Sequence, residues 1–291
     1  MPYLSHCILP EEDDMSVKEL LRKRFLLSSS LLKKCKREKG GILLNGQEAR
    51  VSDKGHAGDI LAFSIADENA ASSVEAVDIK LNIVYEDEYL LVLDKSAGIA
   101  VIPPSLGEDR RSIAAGYAFR YPHLRFHAVN RLDKGTSGLM VVAKYGYIHE
   151  RLQNSLHNNF LREYLGIAVG RVTPPAGCID TPIARAEGSA ILRCVSPVGS
   201  PALTEYESLE NTDDFTLLRL LPHTGRTHQL RVHLSSLGFP LAGDHLYGTE
   251  DKTLISRPAL HSHALSFTHP VTGRRLRFTS PLPEDMKKLL Q

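Results

Sequence analysis

The sequence predicts an α+β fold with a mostly antiparallel sheet, on three observations. From Val77 onward short strand-like runs dominate, around 82–85, 90–94, 139–143, 165–169, 190–195 and 215–221. Helical stretches near 113–119, 147–156, 227–237 and 284–290 do not alternate regularly with those strands, as a doubly wound parallel sheet would require. A length of 291 residues accommodates one full-sized core and one small additional domain.

Composition narrows the class. Hydrophobic residues at 42% and charged residues at 24% are ordinary for a soluble globular enzyme. No apolar run approaches the roughly 20 residues that span a membrane, so no membrane partner is expected. Residues 1–10 lack a basic start followed by a long apolar stretch, so no secretory signal is read. Cys7, Cys35, Cys178 and Cys194 form no CxxC pair. That argues against zinc fingers and redox motifs, and the expected setting is a reducing cytoplasm. The net charge of +1 hides an asymmetry. Between Lys18 and Lys39 nine Lys or Arg face two Glu, a local +7, which leaves 26 basic and 32 acidic residues elsewhere. A concentrated basic segment suits an auxiliary nucleic-acid grip, and it equally suits a solvated helix face.

Residues 16–65 read as a compact unit. Ser16 can cap a helix whose apolar positions Val17, Leu20, Leu21 and Phe25 follow helical spacing. Ser28 or Ser29 can cap a second helix carrying Lys33, Lys34, Lys36 and Arg37. Residues 41–46 read as a strand ending in an Asn-Gly turn, and Gly58-Asp59 precedes a strand over 60–65. Residues 67–76, small and polar, read as a linker, with the main domain over 77–291.

The richest segment is 127–144, HAVNRLDKGTSGLMVVAK. Apolar strand ends, Ala128-Val129 and residues 139–143, flank a polar turn in which Gly135 and Gly138 permit a tight path and close approach to a ligand. Asp133 sits in that turn between Arg131 and Lys134, which favour its ionised form and attract an anionic substrate. A turn-capping Asp and a reactive carboxylate both fit the local pattern.

The run Arg131-Leu132-Asp133 followed by Thr136-Ser137-Gly138-Leu139 resembles the catalytic signature of the RluA family of RNA pseudouridine synthases, departing from it at Asn130 and Gly135. Further blocks are similar in family order: residues 87–95 with Gly98, residues 162–170, His223 to His233, Gly243-Asp244, Tyr247-Gly248, Leu260-His261, His263-Ala264 and His269-Pro270. Residues 1–66 are similar to the alpha-L RNA-binding motif, in a degenerate form with Ser28-Ser29-Ser30 where an Arg is usual.

The resemblance implies a pseudouridine-synthase-like mixed α+β sheet with a central cleft, and isomerisation of uridine in ribosomal or transfer RNA. It implies Asp133 as the catalytic group. It implies Arg131 filling the gap left by a flipped base, Tyr164 stacking on the uracil, Arg226 ion-paired with Asp133, and Leu230 walling the pocket. Strand parity puts Tyr164 opposite Leu165, Ile167 and Val169. Residues 227–237 are expected to form a helix with Arg226 at its N-terminus, its buried stripe marked by Leu230, Leu234 and Leu237.

Isomerisation transfers no electrons and hydrolyses nothing, so no cofactor is expected. His228 and His233 lie five apart without an acidic partner, so no metal is expected either. RNA is the expected partner, and the chain is expected to act as a monomer. No G-x-x-x-x-G-K-[ST], G-x-G-x-x-G or G-x-S-x-G occurs, which counts against kinase, dehydrogenase and serine-hydrolase chemistry. Two alternatives remain at this point: a lapsed enzyme retained as an RNA-binding or ribosome-assembly factor, and a glycosidase, for which no second carboxylate is evident.

Overall fold

The first helices begin where the serines place them. In the computed structural model, which describes residues 2–67, 74–103, 110–156, 159–248 and 254–291, the N-terminal part contains β1 (Tyr3–Cys7), β2 (Met15–Ser16), α1 (Val17–Arg24), α2 (Ser29–Arg37), β3 (Ile42–Leu44), β4 (Gln47–Glu48), β5 (Lys54–Gly55) and β6 (Ile60–Ser64). Ser16 and Glu19 form a reciprocal capping box on α1, and Ser28 Oγ accepts from Leu31 N at 3.3 Å on α2. Asn45 and Gly46 both have positive φ, 51° and 78°, as the tight turn between β3 and β4 requires. Strand β1, unread in the sequence, adds to β6 and completes a sheet of order β1-β6-β3-β4. It buries Leu4 while its other residues stay partly or fully exposed, too little apolar signal to announce a strand.

The rest of the chain forms β7 (Ile83–Glu86), β8 (Leu90–Lys95), α3 (Ile113–Arg120), β9 (His127–Ala128), β10 (Ser137–Ala143), α4 (Gly146–Ser155), β11 (Phe160–Val169), β12 (Ala176–Asp180), β13 (Ile183–Arg185), β14 (Arg193–Val195), β15 (Leu203–Asn211), β16 (Phe215–Pro222), α5 (Gln229–Ser236), β17 (Leu260–Thr268), β18 (Arg275–Thr279) and α6 (Glu284–Lys287). Among the described residues ten strands make one mixed sheet with the path β12-β15-β16-β11-β17-β10-β8-β7, with β18 beside β17 and β9 beside β10. Among the described strands only β10 and β17 pair in parallel, at Ser137–His261 and Gly138–Ser262. The predicted α+β class with a mostly antiparallel sheet is what forms.

Both faces of the sheet are covered. Along β8 and β10 the side chains alternate: Leu90, Val92, Leu139 and Val141 enter one core, Leu91, Leu93, Met140 and Val142 the other. Burial on both faces explains the unbroken apolar runs that marked these strands in the sequence. The first core is shared with the N-terminal part through α4. Tyr147 packs edge-on to Phe63 at 5.3 Å and donates its hydroxyl to Phe25 O at 2.9 Å, and Ser28 Oγ donates to Glu150 at 3.1 Å. Of the segment read as a linker, 68–73 lie outside the described residues. Asp67 is fixed: it accepts from Gly146 N at 3.1 Å at the start of α4 and pairs with His127 at 2.7 Å.

Strands β12, β15, β17 and β18 went unread because edge exposure or buried polar side chains broke their patterns. In β17 His261, Ser262 and Ser266 are buried yet satisfied: His261 Nδ1 meets Ser137 Oγ at 2.9 Å, and Ser262 Oγ donates to Leu139 O at 2.9 Å. Among the described residues no helix is long and apolar enough to cross a membrane.

Candidate active site

The loop between β9 and β10 is held by its backbone. Asp133 O accepts from Thr136 N at 3.0 Å, closing the turn, while Leu132 anchors it in the core. Lys134 O accepts from Gly98 N at 2.8 Å and from Lys95 Nζ at 3.3 Å, and Gly135 O accepts from Arg257 Nη1 at 3.3 Å. Two successive carbonyls are thus gripped by buried cations. Gly138 has φ 104°, and a Cβ there would lie 2.3 Å from Ser262 O, so the parallel contact with β17 requires glycine. Asn130, one of the departures from the family pattern, substitutes for a backbone rung: its Oδ1 accepts from Val141 N at 2.8 Å, and Nδ2 donates to Leu139 O at 3.4 Å.

Lys95 is buried, and its ammonium donates to Ser96 O, Ile99 O and Lys134 O. Burial pushes its pKa down to about 8, against the raising effect of Asp133. Lys95→Met is expected to leave those carbonyls unpaired, lowering stability by about 1–3 kcal/mol and reducing kcat as the loop slackens. Because the folded pKa lies below the unfolded 10.5, the cost of burying the charge is fully present below pH 8. It is relieved as pH rises toward 10.5, since the unfolded chain then binds more protons. Unfolding titrations between pH 8 and 10 should therefore show the wild type gaining stability relative to Lys95→Met, and a constant difference would contradict the assignment.

A cleft of about 560 Å³ opens over this loop. Asp133, Arg131, Tyr164, Arg226 and Leu230 all line it, together with His228, Arg231, Gln153 and Leu260. Tyr164 lies on the cleft face of β11, in the core with Leu218, Leu220 and Leu230, while Leu165 and Ile167 point to the α6 side, as parity required. Opposite Glu163 and Tyr164 the register with β17 slips past His263, a bulge beside the site. Burial raises the Tyr164 pKa, which keeps the phenol protonated. Arg131 stands exposed at the rim.

The expected ion pair is made by a different arginine. Arg226 turns outward, donating Nε to Pro201 O at 2.9 Å. Arg231 Nη1 instead approaches Asp133 Oδ2 at 3.4 Å. Its remaining nitrogens clamp Asp244, which is fully buried, through Nε–Oδ2 at 2.7 Å and Nη2–Oδ1 at 2.6 Å. Burial works against the guanidinium charge, but bonding to Asp244 and the field of both carboxylates raise its pKa above the ordinary arginine value.

The helix also starts later than its spacing suggested. His228 adopts a left-handed conformation, φ 56°, so α5 begins at Gln229. The Gln229 side chain accepts from Arg226 N at 2.9 Å and Thr224 Oγ1 at 2.7 Å, tying off the turn that would have been helical. Leu230 and Leu234 are buried, whereas Leu237, expected in the same stripe, is 41% exposed at the helix end. His233 spends both ring nitrogens on Thr204 Oγ1 and Thr181 O, each at 3.0 Å.

Residues 89–236, from β8 to the end of α5, match the RNA pseudouridylate synthase family. The chain belongs to that family. It is 39% identical over 270 residues to the uncharacterized RNA pseudouridine synthase YjbO of Bacillus subtilis, covering 91% of this chain and 95% of that one. It is 41% identical over 235 residues to ribosomal large subunit pseudouridine synthase D of Vibrio vulnificus, covering 75% and 72%. Among solved structures, human RNA pseudouridylate synthase domain containing 1 superposes with a TM-score of 0.59 at 26% identity, covering 71% of this chain and 85% of that one. The synthase is therefore an isomerase of uridine in RNA, and the lapsed-enzyme alternative is not favoured. Arg231, His228 and Asp244 are the site residues that sequence reading left without a role. The available signal was an Arg placed between the buried helix positions Leu230 and Leu234, with an unexplained Asp in the Gly243-Asp244 block.

Proposed function

We propose that Asp133 performs the isomerisation on a uridine flipped out of ribosomal RNA into this cleft. The observation that carries the reading is the Asp133 carboxylate, 30% exposed, facing the cleft beside Arg231 on a loop held by buried cations. Flipping costs a few kcal/mol of stacking, offset by contacts to the extruded nucleotide. Arg131, free at the rim, occupies the vacated stack. Tyr164 supplies an aromatic face worth roughly 1–3 kcal/mol, and Leu230 walls the uracil. Arg226, exposed on the far rim, is suited to a backbone phosphate. The carboxylate acts on the sugar, as nucleophile at the anomeric carbon or as base, while the N1–C1′ bond breaks. The uracil turns and C5 bonds to C1′ as the carboxylate leaves that carbon, or gives back the sugar proton it took; C5 then loses its proton and N1 gains one, so the product is an isomer and nothing is consumed.

Ribosomal RNA as substrate is supported by the likeness to large-subunit synthases, and a ribosomal substrate suits a reaction carried out in the cytoplasm. Residues 1–66 serve as an RNA-gripping module ahead of a catalytic domain over 77–291. Lys33, Lys36 and Arg37 stand exposed on α2, whereas Lys34 is drawn inward toward Glu38 and Asp67. Deleting the module would uncover the core it shares with α4, so the grip is better tested by charge. Replacing Lys33, Lys36 and Arg37 with Gln is expected to weaken RNA binding and to lower the slope of log Kd against log salt by about 2–3 with unchanged folding. An unchanged slope would make the helix a solvated face.

The activity test is pseudouridine mapping of total RNA from cells with and without the gene, by carbodiimide-dependent reverse-transcription stops. A ribosomal site lost on deletion, restored by the wild type and not by Asp133→Asn, is the expected result. A lost site in transfer RNA would overturn the ribosomal assignment, and no lost site would overturn the reading.

A further inference from the structure

His228 is held by a hydroxyl whose other partner bears on which of its nitrogens carries the proton. Its Nδ1 lies 2.7 Å from the Tyr247 hydroxyl, and the backbone N–H of Arg193 reaches the same hydroxyl oxygen at 3.0 Å. An amide N–H can only donate, so the phenol oxygen accepts there and its own proton is available, and we assign that proton to the bond with His228 Nδ1. Burial keeps the Tyr247 phenol protonated, and burial, helped by the nearby Arg231 and Arg193 charges, lowers the His228 pKa against the raising effect of Asp133 and Asp244, which keeps the ring neutral. In a neutral ring whose Nδ1 accepts, Nε2 carries the hydrogen.

That Nε2–H faces the cleft, 3.9 Å from Asp133 Oδ2. The separation is too long for a hydrogen bond, and it leaves room for one substrate atom at about 2.7–3.0 Å from each. A donor stands on one side of the gap and an acceptor on the other. The atom between them must both accept and donate, which a hydroxyl does and a uracil carbonyl or the ribose ring oxygen does not. With Asp133 acting on the sugar, the hydroxyl nearest the reacting carbon is the ribose 2′-OH, on the adjacent atom.

We propose that His228 donates Nε2–H to the 2′-hydroxyl of the target uridine, which donates in turn to Asp133, so that the two residues select ribose over deoxyribose at the flipped nucleotide. The inference rests on the reading of Asp133 as the reacting group. Its chemistry gives His228 a reason for its left-handed backbone. That conformation aims the ring into the cleft instead of capping α5, to which the side chain makes no hydrogen bond.

The test uses two stem-loops carrying the uridine found by mapping, identical except that one has 2′-deoxyuridine at the target. Both are assayed with wild type, His228→Ala and His228→Gln, whose amide nitrogen can replace Nε2–H. The deoxy substitution is expected to lower kcat/KM for the wild type about tenfold more than for His228→Ala, the loss typical of one neutral hydrogen bond. His228→Gln should recover part of the discrimination. Where the deoxy substrate is not turned over by either protein, the ratio of dissociation constants for the two stem-loops is compared instead.

A histidine that only packs on Tyr247 would slow both substrates equally. A deoxy penalty the same within twofold in wild type and His228→Ala overturns the proposal. Failure of the wild type to convert the ribose stem-loop, or conversion by Asp133→Asn, would instead overturn the reading beneath it.

Discussion

Asp133→Asn is expected to abolish isomerisation, lowering turnover by at least about four orders of magnitude while fold and RNA affinity persist. An amide of nearly the same shape fills the same place on the loop but is neither a competent nucleophile nor a base. The loop's position depends on the carbonyls of Asp133, Lys134 and Gly135 rather than on the carboxylate, so the substitution leaves its supports intact. The lost contact to Arg231 is a partly exposed pair at 3.4 Å, worth at most about 1 kcal/mol. Arg231 keeps Asp244, so no buried charge is orphaned. Single-turnover kinetics on the mapped RNA, with thermal melts and filter binding alongside, measure all three quantities. Detectable turnover near the wild-type rate would remove Asp133 from the chemistry.

The second large effect belongs to Arg231, and it falls on stability and activity together. Arg231→Met leaves Asp244, fully buried, without its bidentate partner, for an expected loss of about 3–5 kcal/mol. Asp133 loses its nearest cation in the same step. Arg231→Lys should fail in part as well, because a single ammonium cannot hold both oxygens of Asp244 and still reach Asp133. The two roles separate in the double variant Arg231→Met with Asp244→Asn, which removes the orphaned charge. Chemical denaturation should show much of the stability restored, and kinetics should show activity still depressed by about 10–100-fold or more. If activity returned with stability, Arg231 would serve Asp244 alone, and its approach to Asp133 would have no bearing on the reaction.

Much of the fold was legible because its signals are local. The capping box at Ser16 and Glu19, the Asn45-Gly46 turn and the apolar runs of β8 and β10 each depend on neighbours a few residues away. Tyr164 reached the cleft face by strand parity alone. What escaped was set by distant partners. Strand β17 carries buried histidine and serine side chains whose acceptors lie on β10 and at Ser280, so its sequence does not look like a core strand. The start of α5 was misplaced because the Gln229 side chain and a left-handed His228 end the preceding turn, and no periodicity announces either.

By itself the sequence determined the class of fold, the ordered blocks of an RNA pseudouridylate synthase, and the loop that presents Asp133 between flanking cations. Those properties follow from spacing along one chain. The tertiary structure alone decided which of two arginines five positions apart meets that carboxylate. Asp133 and Arg231 are separated by 98 residues, and the guanidinium is aimed by Asp244 from a third segment. It likewise set the partners of the His228 ring, Tyr247 and through it the backbone of Arg193. A charge or a proton is placed by the groups that surround it in space, and spacing along the chain does not encode that surrounding.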